Sequence, residues 1–192
     1  MGEILERQQA PMRHRLDVGA YYRMAEAGIL TPNDRVELIG GEIFDMVPIG
    51  SAHAGKTNRL NRLFARAAAD GLAVVSVQSP LRLDAYNEPE PDLMLLKPRE
   101  DDYQGRHPSA ADVLLLVEVS ETSLVYDRGT KLPLYARFGV PEVWIVDLEG
   151  AAIEVYRKPT GGVYELKERL TSGSLTPALV AAVTIDVGAL LA

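Results

Sequence analysis

The sequence predicts an α/β (α+β) fold in which helices flank one mixed central sheet. A nearly continuous apolar run at 113–119 is typical of a strand that is buried on both faces. A helical pattern and a second apolar run follow it, and the strands of such a strand–helix–strand unit lie parallel. Glycine and proline turns separate further short strands, which favours a single sheet with strands of both directions. Because no repeat or linker divides the chain, we expect a single domain at 17–192 after a tail at 1–16.

The N-terminal part of the chain predicts a helix followed by a hairpin. Asp17 can cap the helix, and Gly28 with Pro32 is the expected end. Two short strands then flank Gly40 and Gly41, a pair of residues typical of a tight hairpin turn.

A second helix is the most regular pattern in the chain. Ser51 is its predicted cap, and the helix is expected to reach Asp70. Leu60, Phe64 and Ala67 recur at helical spacing, so they form its predicted apolar face.

Three consecutive strands are predicted after this helix, at 73–77, 81–85 and 92–96. The hydrophilic stretch 97–112 shows no period and is interpreted as a long loop. The strand at 113–119 should then lie in the centre of the sheet.

The remaining elements complete the strand–helix–strand unit and extend the sheet. Asp127 is the predicted cap of a helix at about 128–138, and an apolar strand follows at 143–147. Two more strands, at 153–156 and 163–170, are punctuated by glycine turns and predict antiparallel ribbons.

Composition and charge exclude several classes of protein. The 192 residues contain no cysteine, which rules out disulfides, thiol nucleophiles and cysteine-ligated metals. The net charge of −7 disfavours non-specific nucleic-acid binding through bulk charge. The charged stretch 1–9 has no signal-peptide core and no apolar run approaches membrane-spanning length, so we expect a cytoplasmic protein without a membrane partner.

Two carboxylates and a lysine are expected to meet at the end of the central strand. Residues two apart in a strand share a face, so Glu118 and Ser120 point the same way, and Asp92 on a neighbouring strand can lie beside Glu118. Two carboxylates that close repel unless a cation lies between them, and Mg²⁺ commonly takes one or two carboxylates together with water and phosphate oxygens. Lys131 follows early in the next helix. The pattern indicates a site for Mg²⁺ or Mn²⁺.

The alternative to a metal site is that these three residues have only structural roles. Asp92 would then cap a turn, Glu118 would reach solvent from a strand end, and Lys131 would form a surface ion pair with Asp127. Glu118 ends an otherwise apolar run, however, where an unpaired charge costs free energy. This position favours the site.

The second helix adds two further candidates. His53 shares the face of the core residues two turns later, so it is either a hydrogen-bonded residue at the helix start or part of a site. Four basic residues on other faces are either solvated or contact phosphate. They are Lys56, Arg59, Arg62 and Arg66.

Other familiar chemistries lack their motifs. The three histidines are scattered without the spacing of a zinc hydrolase, and neither a Gly-x-Ser-x-Gly elbow nor a phosphate-binding loop is present.

The candidate residues resemble a variant of the PD-(D/E)XK nuclease signature, in which the lysine of the third position has moved to the next helix. The chain more closely resembles the Uma-two family of restriction-endonuclease-like proteins over residues 17–187. The residues that carry this resemblance are 36–43, His53, Pro91, Asp92, Glu118, Val119, Ser120, Asp127, Lys131, Tyr135 and 139–147.

The resemblance implies a restriction-endonuclease-like core and hydrolysis of phosphodiester bonds in nucleic acid, with DNA as the expected substrate. Asp92, Glu118 and the carbonyl of Val119 would hold the metal. Ser120 stands where the superfamily has lysine and can only hydrogen-bond, so the catalytic lysine would be Lys131.

The resemblance also changes the interpretation of residues around the metal site. Glu37 alternates with apolar neighbours and alone would be taken as a solvated strand residue, but its matched position makes it a candidate to support the metal site, with His53 and Tyr135. The loop 97–112 joins the strands of Asp92 and Glu118, so we expect it to be mobile and to contact substrate.

A competing hypothesis is a catalytically inactive nuclease-fold protein that binds nucleic acid or associates with itself. A hydrolase of smaller phosphoesters has no sequence feature of its own. A homodimer is the candidate assembly.

Overall fold

A six-stranded mixed sheet organises the molecule, as the sequence predicts. The computed structural model describes residues 12–192. The sheet has the order β3-β4-β5-β6-β7-β8; β5 and β6 are parallel, and all its other neighbours are antiparallel. Its strands are β3 (Val74–Val77), β4 (Leu93–Leu96), β5 (Val113–Ser120), β6 (Glu142–Asp147), β7 (Ala152–Thr160) and β8 (Val163–Leu170).

Two small antiparallel pairs and several helices surround the sheet. The pairs are β1 (Val36–Ile39) with β2 (Glu42–Asp45), and β9 (Ser174–Leu175) with β10 (Ile185–Asp186). The α-helices are α1 (Val18–Glu26), α2 (Ser51–Ala69), α3 (Leu124–Tyr126), α4 (Leu132–Arg137) and α5 (Val187–Leu191). No helix in the described part of the chain is long and apolar enough to cross a membrane.

The predicted central strand is confirmed. β5 lies between β4 and β6, and hydrophobic layers cover both of its faces. One layer contains Phe64 of α2 and Leu190 of α5, whereas the other contains Tyr135 of α4. The fully buried Trp144 of β6 belongs to the first layer. Burial on both faces explains why the sequence of β5 is almost wholly apolar.

The N-terminal elements also form as predicted. Asp17 caps α1 by accepting a hydrogen bond from the Ala20 backbone N–H at 2.6 Å. In the predicted tail, residues 1–11 lie outside the described residues. The rest of the tail is hydrogen-bonded to the hairpin, because the Leu16 N–H donates to the Gly41 carbonyl at 2.9 Å.

Two local predictions are wrong. Ser51 does not cap α2, because the helix already includes Ser51 and Gly50 occupies the cap position without a side-chain hydrogen bond. The segment 81–85 is not a strand of the sheet. Its backbone N–H groups bond locally, from Leu81 to the Pro89 carbonyl and from Leu83 to the Asn87 carbonyl, so the segment folds back on itself.

The helix over the end of β5 begins earlier than predicted. It runs from residue 124 to 137, so Asp127 lies inside it and does not cap it. Asp127–Lys131 form a π-helical turn, and the Leu132 N–H donates to the Asp127 carbonyl in an i→i+5 bond. Such single π turns widen an α-helix locally and are frequent at functional sites.

Candidate functional site

The two predicted carboxylates lie at the same edge of the sheet. Asp92 immediately precedes β4, and Glu118 lies near the end of β5. Because these strands are antiparallel and Leu93 pairs with Val117, Asp92 stands next to Glu118 in the register. The Val119 backbone N–H donates to Asp92 Oδ2 at 2.8 Å, which holds this carboxylate against β5.

The Lys131 side chain extends from the π turn to this edge of the sheet. Its Nζ lies 2.8 Å from Glu118 Oε1 and 3.4 Å from Glu37 Oε2. Lys131 is 4% exposed and Glu118 is 3% exposed, so the structural alternative, with a surface ion pair and a solvated strand end, is wrong. The helix that begins at residue 124 brings the lysine of the variant signature next to the strand carboxylate.

Glu37 and Tyr135 support this pair. The Tyr135 hydroxyl donates to Glu118 Oε1 at 2.6 Å. Glu37 is buried rather than solvated and accepts from the Tyr126 hydroxyl at 3.1 Å and from the Glu90 backbone N–H at 3.1 Å. These bonds hold Glu37 in contact with the lysine, which also contacts Glu118.

His53 and Gln78 contact the other carboxylate. His53 Nε2 lies 3.0 Å from Asp92 Oδ2, and Gln78 Nε2 lies 3.5 Å from Asp92 Oδ1. Within the described residues, His53 Nδ1 is buried without a hydrogen-bond partner. The hydrogen bond with Asp92 raises the pKa of His53 more than its partial burial lowers it.

Ser120 contacts the helix at 124–137 through Asp127 and not through Lys131. Its hydroxyl donates to Asp127 Oδ2 at 2.7 Å, and the Ser123 hydroxyl donates to the same oxygen at 2.6 Å. Ser120 therefore positions a buried third carboxylate, Asp127.

The crowded carboxylates change the protonation equilibria of the site. Burial raises the pKa of Glu118 well above its ordinary range, although Lys131 opposes the shift. Burial alone would lower the pKa of Lys131, but Glu118, Glu37 and Asp127 outweigh it and raise that pKa. The charged ammonium form of Lys131 is therefore favoured, whereas burial favours the protonated form of Glu118.

The charged residues described above line one cleft with a marked excess of negative groups. Among the described residues, its permanent cations are Arg35 and Lys131, and His53 adds a titratable ring. Its carboxylates are Glu37, Asp45, Glu90, Asp92, Glu118, Glu121 and Asp127. An added cation would therefore be attracted electrostatically.

The predicted basic residues of α2 are not part of this cleft. Lys56 Nζ donates to the Leu190 and Leu191 carbonyls at 2.9 Å each and so binds the end of α5. Arg62 and Arg66 are exposed, and Arg59 is half-buried. Their contact with phosphate stays a prediction.

Loop 97–112 does not lie at this cleft, and its mobility and its contact with substrate stay predictions. The loop leaves the end of β4 and enters the start of β5, whereas Asp92 and Glu118 lie at the opposite ends of these strands. None of its residues lines the cleft.

Sequence reasoning missed several residues that build the site. Tyr126, Glu90 and Gln78 contact Glu37 or Asp92, yet each comes from a segment whose path the pattern did not predict. One usable signal was the proximity of Glu90 to Asp92 in the Glu-Pro-Glu-Pro-Asp stretch. Asp127 is predicted as a helix cap and as a position of the family resemblance, but not as a buried carboxylate of the site.

Two strand-end carboxylates and a lysine thus lie together at one edge of a mixed sheet. The chain belongs to the Uma2 family, whose model, described as "Putative restriction endonuclease", matches residues 18–188. The fold is also similar to the crystal structure of a "putative nuclease belonging to DUF820" from Anabaena variabilis, with a TM-score of 0.69. That similarity covers 92% of this chain and 97% of the other at 13% identity. No curated protein gives a significant match.

Proposed function

We propose that this protein is a metal-dependent endonuclease that hydrolyses phosphodiester bonds of nucleic acid, with DNA as the first substrate to test. One observation carries the proposal: Asp92 and Glu118 meet at one sheet edge with the Lys131 ammonium 2.8 Å from Glu118. Membership of the Uma2 family and the fold of the Anabaena variabilis protein support it.

The donor set suits a hard divalent cation that keeps most of its water ligands. No cluster of three or more Asp, Glu or His side chains in ligating geometry occurs among residues 12–192. Mg²⁺ needs only one or two carboxylates, which Asp92 and Glu118 would provide together with the Val119 carbonyl. Glu118 Oε2 has no hydrogen-bond partner among the described residues, and Asp92 Oδ1 has only the long contact to Gln78. Both oxygens are thus available to a ligand.

The residues around the metal ligands would have separate roles. When bound, Mg²⁺ or Mn²⁺ would supply Lewis acidity towards phosphate and lower the pKa of a bound water. Lys131 holds its proton, so it would stabilise negative charge on the phosphate rather than act as a base. His53 would hold Asp92, Tyr135 would hold Glu118, and Ser120 would act through Asp127.

The proposal is tested by metal binding and cleavage in parallel. Saturating Mg²⁺ or Mn²⁺, at about 100 times its Kd, should stabilise the wild type by about 2.7 kcal/mol. Asp92→Asn should remove both this stabilisation and the cleavage of plasmid DNA. Asp70→Asn, an exposed carboxylate of the same kind, is the matched control.

Two results would count against the proposal. An equal metal-induced stabilisation of wild type and Asp92→Asn would place the metal elsewhere. If wild type cuts neither DNA nor RNA, the inactive binding or self-associating protein becomes the better hypothesis. The cytoplasmic location and the homodimer stay predictions.

A further inference from the structure

The entrance of the cleft carries an exposed apolar segment that the proposed chemistry does not use. We call Met46, Val47, Pro48 and Ile49, which connect β2 to α2, the apolar lip. All four line the cleft, and Val47 and Ile49 are 56% and 37% exposed. Single exposed apolar residues are common, but a continuous apolar segment at the mouth of a cleft indicates a binding surface.

Aromatic rings lie next to the apolar lip. Phe44 and Tyr126 both line the cleft, and their ring centroids are 5.7 Å apart. Tyr126 is held by its hydrogen bond to Glu37, so this wall of the cleft is fixed to the candidate site. A flat apolar group bound at the apolar lip would therefore occupy the same cleft as Asp92 and Glu118.

The charge of the cleft determines which part of a nucleic acid can bind there. Duplex DNA presents two phosphate strands, and proteins bind it with clustered lysine and arginine. In the described part of this cleft, seven carboxylates face Arg35 and Lys131, and Lys131 is already paired with Glu118 and Glu37. Such a cleft suits one phosphate at a metal, with the apolar lip as a separate surface for apolar contacts.

We propose that the apolar lip contacts unpaired bases next to the scissile phosphate, so that the preferred substrate is single-stranded or locally unpaired DNA. This inference rests on the proposed nuclease function and names its substrate class. Bases in a continuous duplex are stacked and paired, whereas unpaired bases expose faces that apolar and aromatic side chains can cover.

The experiment compares three substrates with Mn²⁺ present: a labelled single-stranded oligonucleotide, the same sequence in a duplex, and methyl p-nitrophenyl phosphate, a diester without bases. Wild type should cut the single strand at least about tenfold faster than the duplex, given that each stacked base contributes roughly 1–3 kcal/mol. In the variant Val47→Ser/Ile49→Ser, kcat/KM for the single strand should fall about tenfold more than for the small diester. Val163→Ser/Leu166→Ser, on exposed positions of β8 outside the cleft, should change neither.

A binding measurement separates failure of this inference from failure of the proposed function. Binding of the labelled single strand is measured by fluorescence anisotropy in Asp92→Asn protein, so that no cleavage is needed. Adding Val47→Ser/Ile49→Ser should lower the affinity about tenfold. Equal cleavage and binding of single strand and duplex would overturn the inference while leaving the nuclease proposal intact. No cleavage of any substrate, with binding that still depends on the apolar lip, would overturn the nuclease proposal and leave a single-strand binding site. Tighter binding of RNA of the same sequence would move the substrate from DNA to RNA.

Discussion

The ammonium of Lys131 is surrounded by carboxylates from three parts of the chain. Glu37 comes from β1, Glu118 from β5, and Asp127 from the same helix as the lysine. Burial of a carboxylate alone would be expensive, and the ammonium of Lys131 lowers that cost for the three carboxylates around it. The lysine thus belongs both to the stability of the site and to its proposed chemistry.

Replacement of Lys131 by methionine should therefore affect two properties at once. Leaving Glu118 and Glu37 buried without their partner should lower the free energy of unfolding by about 3–5 kcal/mol at neutral pH. Metal-dependent cleavage should fall on the order of a hundredfold or more because the positive charge near the phosphate is lost. Chemical denaturation and plasmid cleavage, measured on the same preparation, check both effects.

The matched control is Lys167→Met, since Lys167 is a half-exposed lysine that pairs with Glu154 outside the cleft. It should change stability by less than about 0.5 kcal/mol. The loss of unfolding free energy in Lys131→Met should become smaller at acid pH, where the unpaired carboxylates take up protons. A loss that stays constant with pH would contradict this explanation.

Residue identities could be predicted where the pattern was strong. Strand periodicity places Asp92 beside Glu118, and the cost of a charge in an apolar run favours a site over a solvated strand end. Tyr126 and Gln78 could not be found, because their roles depend on a helix start and on a backbone with positive φ at Gln78 that no local pattern indicates. The hydrogen bond of Ser120 to Asp127 likewise depends on a helix that begins before Asp127.

Among the elements, the interrupted helix at 124–137 decides where Lys131 lies. Its π turn contains Gly129, an exposed residue at which an added Cβ would meet no other atom. Gly139 follows the same helix and is equally unobstructed, but it has a φ of +77°. The two glycines therefore separate the effect of backbone conformation from that of space.

Gly129→Ala should raise the free energy of unfolding by about 0.5–1 kcal/mol, because alanine loses less backbone entropy in a helix. Gly139→Ala should lower it by about 1 kcal/mol or more, because a side chain is strained at positive φ. Urea denaturation of both variants measures the difference. An equal change in the free energy of unfolding in the two variants would contradict this prediction. It would mean that the turn at Gly139 relaxes, or that the π turn does not form.

Asp112 is one of the acidic residues that hold the loop 97–112. Asp112 accepts hydrogen bonds from two nitrogens of Arg106, at 2.7 and 3.0 Å, and from the backbone and hydroxyl of Ser109. The hydrogen bonds from Arg106 lower the pKa of Asp112 well below its ordinary value. The contribution of Asp112 to stability is therefore present above its unfolded pKa of about 3.9 and is lost as the pH falls through the lower folded value.

Asp112→Asn should cost about 1 kcal/mol at neutral pH and increase hydrogen exchange in the loop. The difference from wild type should become smaller below about pH 4, where the wild-type carboxylate also takes up a proton. The control is Asp102→Asn, because Asp102 is exposed and makes no side-chain hydrogen bond in the described residues. If Asp102→Asn opened the loop as much as Asp112→Asn, the loop would not depend on this anchor.

The elements themselves could be predicted wherever a repeated pattern specified them, as in α2, β5 and β6. Residues 81–85 have the composition of a strand, but their N–H groups bond within a local turn. The short β9, β10 and α5 were missed, because two-residue strands carry too little periodicity and depend on contacts with the finished sheet.

At the scale of the whole molecule, the C-terminal segment completes the core. Leu175, Val183, Val187 and Leu190 belong to the hydrophobic layer that also contains Trp144. The buried Glu142 carboxylate accepts from the Ala178 N–H at 2.7 Å, which ties this segment to β6. One face of the sheet would be incompletely covered without it.

Two leucines of this segment provide a matched test. Leu190 is 1% exposed and Leu179 is 55% exposed. Leu190→Ala should lower the free energy of unfolding by about 2–5 kcal/mol, because it leaves a cavity in the core. Leu179→Ala should change it by less than about 0.5 kcal/mol. Similar values for both would indicate that α5 does not pack on the sheet in solution.

The position of loop 97–112 at the end of the sheet opposite the cleft has a practical consequence. Since the chain has no cysteine, a single thiol introduced at the exposed Gln104 would be the only point of attachment for a maleimide dye or spin label. A label there would report rotational diffusion and distances to a tagged oligonucleotide while leaving the cleft open. The separation of loop and cleft thus makes the protein suitable for single-molecule work without re-engineering its native side chains.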